Sequence, residues 1–477
     1  MSHGLSEESV SSPELASVDV VPASSTGTSL GQWARFRQWS TTGRVGIALR
    51  GGAWTIGGYV VTQLFRTAGT LILARNFLGP EAFGIVGLVG VFIAGLAMFS
   101  ELGIMANVVQ HTRGDDSGFL NTAFTVQAAR GAGIWIVSAI AAYPLALFYH
   151  IPQLFPLLLA AGSSEMLRGL ISTSAWTLTR HVNLRSITLL QVVSEIVGFV
   201  VCVLWSVASP SAWALVMRTI VSAGVLALGS HFIAKPRVKL GWDSSAAKDI
   251  LHFGGWVSIS TAAHFLGGQG ERLFLGKFIT PAELGCFSLA IMVTSLPSAG
   301  ISQLANQILL PMISKAVRTS REATLRDFHR SRYIFLTGAV ISTIGFLALG
   351  NPVVKLFLSP KYRMTGWMLQ LLGLRVAFDL FATPATNVIL AYGKTKYSAV
   401  ANVTRLVIMV SGVWLALKYF GVREAILALV VAQAISYFPL VFGIKRLLPE
   451  ETGAELRWYT FLLLLMVLAS LIHWPSM

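Results

Sequence analysis

Long apolar segments separated by short polar loops make up most of this 477-residue chain. Each segment holds about 20 residues, the length at which a helix crosses a hydrocarbon core of roughly 30 Å. Strands of a membrane barrel would be shorter and would alternate in polarity. The pattern predicts an all-α integral membrane protein with thirteen helices. They are expected at residues 52–73, 83–105, 123–148, 153–178, 187–207, 212–233, 253–278, 284–312, 333–349, 366–391, 399–417, 425–444 and 456–472.

One sequence unit occurs twice. A tryptophan, Trp54 or Trp256, opens a long apolar segment, and some 25 residues later comes LGPEAFG at 78–84 or ITPAELG at 279–285. Repeated helical modules are typical of transporters. We therefore predict two six-helix lobes, at 51–233 and 253–445.

Three further regions complete the predicted domain organisation. Residues 1–50 are expected to form a disordered, basic cytoplasmic tail, because they lack an apolar period. Residues 234–252 are expected to form a cytoplasmic linker, and residues 446–477 to contain an extra helix. An odd number of spans leaves the topology of the C-terminus open.

Composition and charge support this interpretation. Hydrophobic residues make up 54% of the chain and charged residues 12%, far fewer charges than in soluble domains. The net charge of +15 would suggest nucleic acid in a soluble protein, but roughly 22 basic residues lie in loops on the side of the N-terminus and roughly six on the other side. We therefore expect a multi-pass protein with a cytoplasmic N-terminus, anionic membrane lipid as a contact and no nucleic-acid partner.

Motifs for catalysis or for cofactor binding do not emerge from the sequence. Cys202 and Cys286 lie far apart in predicted helices, without the spacing of a metal site. No P-loop or nucleophile elbow stands where a strand and a helix would frame it. We expect a transporter with no catalytic residues, no metal and no cofactor.

Charged residues inside the predicted spans are the candidate site, because burial in lipid is costly unless the side chain faces a partner or a wet cavity. Guanidinium groups bind phosphate oxygens bidentately, which suits an anionic lipid headgroup. The arginines expected to line a substrate cavity are Arg66, Arg168, Arg218, Arg272, Arg375 and Arg405. The residues expected to serve in ion coupling or charge balance are Glu165, Glu195, His264, Glu271 and Asp379.

Structural roles compete with these interpretations. Glu165 and Arg168 are three residues apart, and Arg375 and Asp379 four, so each pair is also expected to neutralise itself on one helix. The other arginines lack an evident local partner, and snorkelling or helix-to-helix bonding is the alternative to cavity lining. Hydrogen-bonded packing is the alternative for His264 and Glu271. Glu101 and Arg130 lie nearer to helix ends.

Four segments form a recognisable set: LARNFLGPEAFG at 73–84, SELGI at 100–104, ERLFLGKF at 271–278 and LFLSPKY at 356–362. In their order and spacing they resemble Wzx-type polysaccharide exporters, and the resemblance spans residues 49–446. The resemblance implies membership of the multidrug/oligosaccharidyl-lipid/polysaccharide (MOP) flippase superfamily, whose two six-helix lobes surround a V-shaped central cavity. Glu271 stands where the family more often has aspartate.

The resemblance also implies a function and partners. Wzx-type members move undecaprenyl-diphosphate-linked oligosaccharides across the bacterial inner membrane, from the cytoplasmic to the outer leaflet. A polysaccharide polymerase and a chain-length regulator would act downstream. Two alternatives remain: an ion-coupled exporter of drugs or other small molecules, for which a cavity rich in aromatic and acidic side chains would be typical, and a membrane glycosyltransferase or ligase, for which a large external loop would be.

Overall fold

A computed structural model describes residues 43–181 and 183–472 of the chain. Most of the predicted tail lies outside these residues, and the first described helix begins at Gly43, within the segment predicted to be tail. The chain divides into two compact units, Met1–Ala53 and Trp54–Met477. In the first unit the described residues are helical.

The regular elements of the described residues are helices, as predicted. The α-helices are α1 (Gly43–Asn76), α2 (Pro80–Phe99), α3 (Ile104–Gln110), α4 (Ser117–Tyr149), α5 (Leu154–Gly169), α6 (Ser174–Arg180), α7 (Arg185–Ala208), α8 (Ala212–Ile233), α9 (Ser244–Gly276), α10 (Pro281–Leu304), α11 (Leu310–Thr319), α12 (Arg321–Phe357), α13 (Arg363–Ala391), α14 (Lys396–Tyr419), α15 (Val422–Ile435), α16 (Phe438–Leu447) and α17 (Thr452–Ile472). A π-helical turn, Ala305–Leu309, joins α10 to α11.

Eight of the described helical segments are long and apolar enough to cross a membrane. The consecutive helices α5 and α6, bent by 63° between them, add a ninth if they form one broken span. The all-α membrane fold is therefore confirmed, whereas the division into two lobes of six helices stays a prediction.

Local sequence signals explain where several helices begin. The Asp116 carboxylate accepts a hydrogen bond from the Phe119 amide and caps α4, and Asp243 caps α9 in the same way. The Ser320 hydroxyl accepts one from the Ala323 amide at 3.0 Å, so α12 begins twelve residues before the predicted helix at 333–349. Such side chains satisfy amide groups that have no partner within the helix.

The two copies of the repeated sequence unit pack directly against each other. A Cβ atom added to Gly84 would lie 1.8 Å from the carbonyl oxygen of Pro281, and one added to Gly285 would lie 1.8 Å from that of Pro80. Only glycine permits such a close backbone approach. We call this contact, formed by residues 80–84 of α2 and 281–285 of α10, the Pro-Gly crossing.

Further contacts join the two predicted lobes near this crossing. The Tyr362 hydroxyl donates to the Leu78 carbonyl at 2.9 Å, and the Tyr149 hydroxyl donates to the Leu273 carbonyl at 3.0 Å. The Lys277 ammonium donates to the carbonyl of Phe148. Backbone packing and hydrogen bonds therefore join the two predicted lobes at the ends of these helices.

Candidate functional site

A cavity of about 650 Å³, which we call the main cavity, lies among α2, α3, α4, α5, α6 and α8. Apolar side chains such as Val86 and Ile93 line the part nearer to the Pro-Gly crossing. Four charged side chains, Glu101, Arg130, Glu165 and Arg168, also line it. The main cavity is thus an apolar space with a charged region.

The four charged residues of the main cavity form two ion pairs. Arg130 Nη2 lies 3.0 Å from Glu101 Oε2, and the same guanidinium donates to the Ala97 and Ser100 carbonyls. The predicted pair within α5 is present, with Arg168 Nε 3.3 Å from Glu165 Oε1. Because the side chain of Arg168 is half exposed, part of its guanidinium group is accessible to a ligand.

A second cavity, of about 320 Å³, adjoins the first at Arg168 and is called the side cavity. Arg66 and Arg218, for which the sequence shows no evident local partner, both pair with a residue of another helix. Arg66 Nη2 lies 2.5 Å from Glu195 Oε1, and Arg218 Nη2 lies 3.3 Å from Glu195 Oε2. The single carboxylate on α7 holds arginines from α1 and α8, an arrangement that depends on how three helices pack.

The charged residues of the second predicted lobe form another cluster. Arg375 Nη1 lies 2.5 Å from Glu271 Oε2, so its ion-pair partner is on α9 and not Asp379, as the spacing had suggested. Asp379 instead accepts a hydrogen bond from the Gln433 amide at 2.7 Å. Gln433 in turn accepts from Arg405 at 3.3 Å. The predicted intrahelical pair is replaced by a network across α9, α13, α14 and α15.

Two other predicted site residues, Arg272 and His264, are not among the ion pairs described above. Arg272 is half-buried beside Glu271, whose carboxylate is directed to Arg375. The side chain of His264 lies outside the described residues. In the part of the chain that the structure describes, no group of three His, Cys, Asp or Glu side chains is arranged to hold a metal ion.

A buried ion pair was missed by the sequence reasoning. Arg332, expected in a polar loop, lies in α12 with its Nη2 2.5 Å from Glu455 of α17, and both side chains are 2% exposed. The Tyr437 hydroxyl donates to the same carboxylate, and the Phe381 ring lies 4.3 Å from the guanidinium. The cap at Ser320 was the available signal, because it starts the helix early enough to include Arg332.

The linker between the predicted lobes is fixed to α4 and its preceding loop. Arg113 Nη2 lies 2.6 Å from Asp243 Oδ2, and the Asp243 amide donates to the Thr122 hydroxyl at 2.9 Å. The Arg113 guanidinium, together with hydrogen bonds from Ser245, lowers the pKa of Asp243 to about 2. The last residues of the predicted linker belong to α9, which begins at Ser244.

Sequence comparison finds similarity to proteins of polysaccharide production. The sequence profile of a family described as "Polysaccharide biosynthesis protein" matches residues 72–367. The chain is 23% identical over 316 residues to a succinoglycan biosynthesis transport protein, ExoT, of Rhizobium meliloti, covering 64% of this chain and 61% of that protein. It is 24% identical over 318 residues to an amylovoran biosynthesis protein, AmsL, of Erwinia amylovora, covering 64% of this chain and 79% of that protein. The match thus spans less than two-thirds of the Rhizobium relative.

Solved structures with a similar fold include a MATE family transporter of the MOP superfamily and a lipid II flippase. An inward-facing multidrug resistance MATE family transporter aligns with a TM-score of 0.64 at 15% identity, covering 83% of this chain and 96% of that one. The lipid II flippase MurJ, in an inward closed conformation, also aligns with a TM-score of 0.64 at 15% identity, covering 88% and 97%. At this identity the likeness concerns the fold.

Proposed function

The chain belongs to the polysaccharide biosynthesis protein family, and from this we propose that it is a flippase for undecaprenyl-diphosphate-linked oligosaccharide repeat units. It would move them across the bacterial inner membrane, with its N-terminus in the cytoplasm. The names of the relatives support a role in the export of surface polysaccharide. The MurJ-like fold is compatible with a lipid-linked cargo.

The observation that carries the proposal is a large, charged cavity among apolar helices. Charged side chains are retained at membrane depth where they face water or a ligand, and the main cavity holds two arginines with their paired carboxylates. Its volume of about 650 Å³ is within the range of ligand pockets. The arginines suit the phosphate groups of the carrier, because guanidinium forms paired hydrogen bonds with phosphate oxygens.

The position of the main cavity relative to the Pro-Gly crossing supports alternating access. Gly84 at the crossing and Glu101 in the cavity are 17 residues apart along and just beyond α2, which corresponds to roughly 25 Å of helix. With the N-terminus inside, the crossing closes the outer end and the charged part of the cavity lies near the cytoplasmic end. The substrate would enter from the cytoplasmic leaflet, and the crossing would separate to release it.

The experiment is a gene deletion with complementation. We expect the deletion strain to accumulate undecaprenyl-diphosphate-linked oligosaccharide on the cytoplasmic leaflet and to lose surface polysaccharide, and wild-type protein to restore both. Arg130→Ala and Arg168→Ala are expected to restore export poorly at normal protein levels. The matched control is Arg321→Ala, which breaks an exposed ion pair with Glu450 and should restore export fully.

Two results would contradict the proposal. If no lipid-linked intermediate accumulates and surface polysaccharide is unchanged, the flippase assignment fails, and export of a small molecule becomes the leading alternative. If the intermediate accumulates but all cavity variants restore export like wild type, the main cavity is not the path of the headgroup.

A further inference from the structure

The side cavity has a polar lining although it lies among apolar helices. Arg66 of α1, Arg168 of α5 and Glu195 of α7 supply its charges. Its neutral polar side chains are Thr62, Thr188, Gln191, Ser194 and Ser222. A concentration of convergent polar groups among apolar helices marks a place for water or for a polar ligand.

The charges around Glu195 are unequal. Its two carboxylate oxygens contact Arg66 and Arg218, at 2.5 and 3.3 Å, while Arg168 is balanced by Glu165. Two guanidinium groups on one carboxylate leave one excess positive charge. Among the described residues that line the side cavity, Glu195 is the only carboxylate, so the excess positive charge favours the binding of an added anion.

The two arginines differ in their accessibility to that anion. The side chain of Arg218 is 10% exposed and its guanidinium lies 5.7 Å from the Phe199 ring. That of Arg66 is 52% exposed, and Arg66 lines the side cavity. Arg66 is thus the arginine that can exchange Glu195 for a ligand, and Arg218 is the one that keeps Glu195 in place.

We propose that the side cavity is the subsite for the diphosphate group of the lipid-linked substrate, and that Glu195 occupies the place of a phosphate until the substrate arrives. This inference rests on the proposed function. A phosphate presents a pair of oxygens to a guanidinium as a carboxylate does, so it can replace Glu195 on Arg66. Arg168, which lines both cavities, would lead the phosphates from the main cavity to Arg66.

The exchange has a structural consequence. The Arg66–Glu195 pair is a polar tie between α1 and α7. When a phosphate takes its place, α1 loses this tie while Glu195 remains paired with Arg218 on α8. Binding of the substrate would therefore loosen α1 from α7.

The test measures anion binding to the purified full-length protein in lipid nanodiscs, with inorganic pyrophosphate as the probe and calorimetry at low salt as the assay. Glu195→Gln removes the competing charge, so we expect pyrophosphate to bind at least ten times more tightly than to wild type. Arg66→Ala should weaken binding at least tenfold. Arg66→Lys should weaken it less, because lysine keeps the positive charge but lacks the paired N–H donors of a guanidinium group. Glu450→Gln, in the exposed pair with Arg321, is the control and should bind like wild type.

The opposite results would overturn the inference. If Glu195→Gln binds pyrophosphate no more tightly than wild type does, Glu195 does not compete with the anion for Arg66. Unchanged binding to Arg66→Ala would place the anion elsewhere, and thermal unfolding of each variant shows whether it is folded. Undecaprenyl diphosphate in the nanodisc should displace pyrophosphate; failure to do so would make this a site for a free anion.

This inference and the proposed function fail separately. If the deletion strain accumulates the lipid-linked intermediate but Glu195→Gln binds pyrophosphate like wild type, the flippase assignment stands and the side cavity is not its phosphate subsite. If the binding results hold but nothing accumulates, the anion subsite stands without the proposed cargo.

Discussion

Replacement of Gly84 by alanine should separate the two halves of the Pro-Gly crossing. The added Cβ would lie 1.8 Å from the Pro281 carbonyl oxygen and 3.0 Å from the Gly285 amide. To reach an ordinary carbon contact, the two backbones must move apart by roughly 1.5 Å or more. Both obstacles are backbone atoms, so a change of side-chain rotamer cannot relieve the clash.

The expected loss in free energy of unfolding can be taken from overpacked cores of other proteins. Extra methyl groups in packed cores cost about 1–3 kcal/mol, and the rigid obstacle places Gly84→Ala at the upper end of that range or above it. Gly90 lies on the same helix, and an added Cβ there has nothing within 4 Å. Gly90→Ala should be neutral or stabilising by up to ~1 kcal/mol, because alanine favours helix more than glycine does.

The assay is thermal unfolding of the purified variants in one detergent, together with surface-polysaccharide output in the deletion strain. Gly84→Ala should melt below wild type and Gly90→Ala at or above it. Gly84→Ala combined with Gly285→Ala should cost less than the sum of the two single changes, since both separate the same contact. If Gly84→Ala has the same melting temperature as Gly90→Ala, the close crossing of the two repeats is refuted.

Three other changes test separate contacts. Arg332→Ala leaves the Glu455 charge buried without its partner and should cost about 3–5 kcal/mol in thermal unfolding; a melting temperature equal to that of wild type would contradict the buried pair. Tyr362→Phe removes a hydroxyl that donates to the Leu78 carbonyl and should cost about 0.5–1.5 kcal/mol, so an unchanged melting curve would mean that this bond is not made. Because the pKa of Asp243 is lowered to about 2 from 3.8, its contribution to stability is complete above pH 3.8 and is lost as the pH falls towards 2. Asp243→Asn should therefore melt below wild type at pH 6 and approach it near pH 2, and a difference that grows on acidification would contradict the pair with Arg113.

The helices were predictable because the length and hydrophobicity of a membrane segment can be read directly from the sequence. The predicted segment at 212–233 coincides with α8, and the family resemblance is confirmed by the matching family profile. The boundary at α12 was missed by twelve residues, because its first three turns are polar and resemble a loop. A cap at Ser320 outweighed that local polarity.

Most ion-pair partners of the charged residues could not be predicted from the sequence. Spacing of three or four residues reveals pairs on one helix, and it correctly suggested Glu165 with Arg168. It cannot reveal Arg66 with Glu195, because those residues are 129 positions apart on helices whose relative rotation depends on packing. For the same reason it assigned Asp379, and not Glu271, to Arg375.

Translocation itself is the most direct test of the proposed function. The purified protein would be reconstituted into liposomes that contain undecaprenyl-diphosphate-linked oligosaccharide, and the share of glycan accessible to an external glycosidase would be followed over time. We expect protein-containing liposomes to equilibrate the glycan between leaflets faster than protein-free liposomes, and Arg66→Ala to slow this exchange. Equal exchange with and without the protein, at confirmed reconstitution, would contradict the claim that it is a flippase for this lipid.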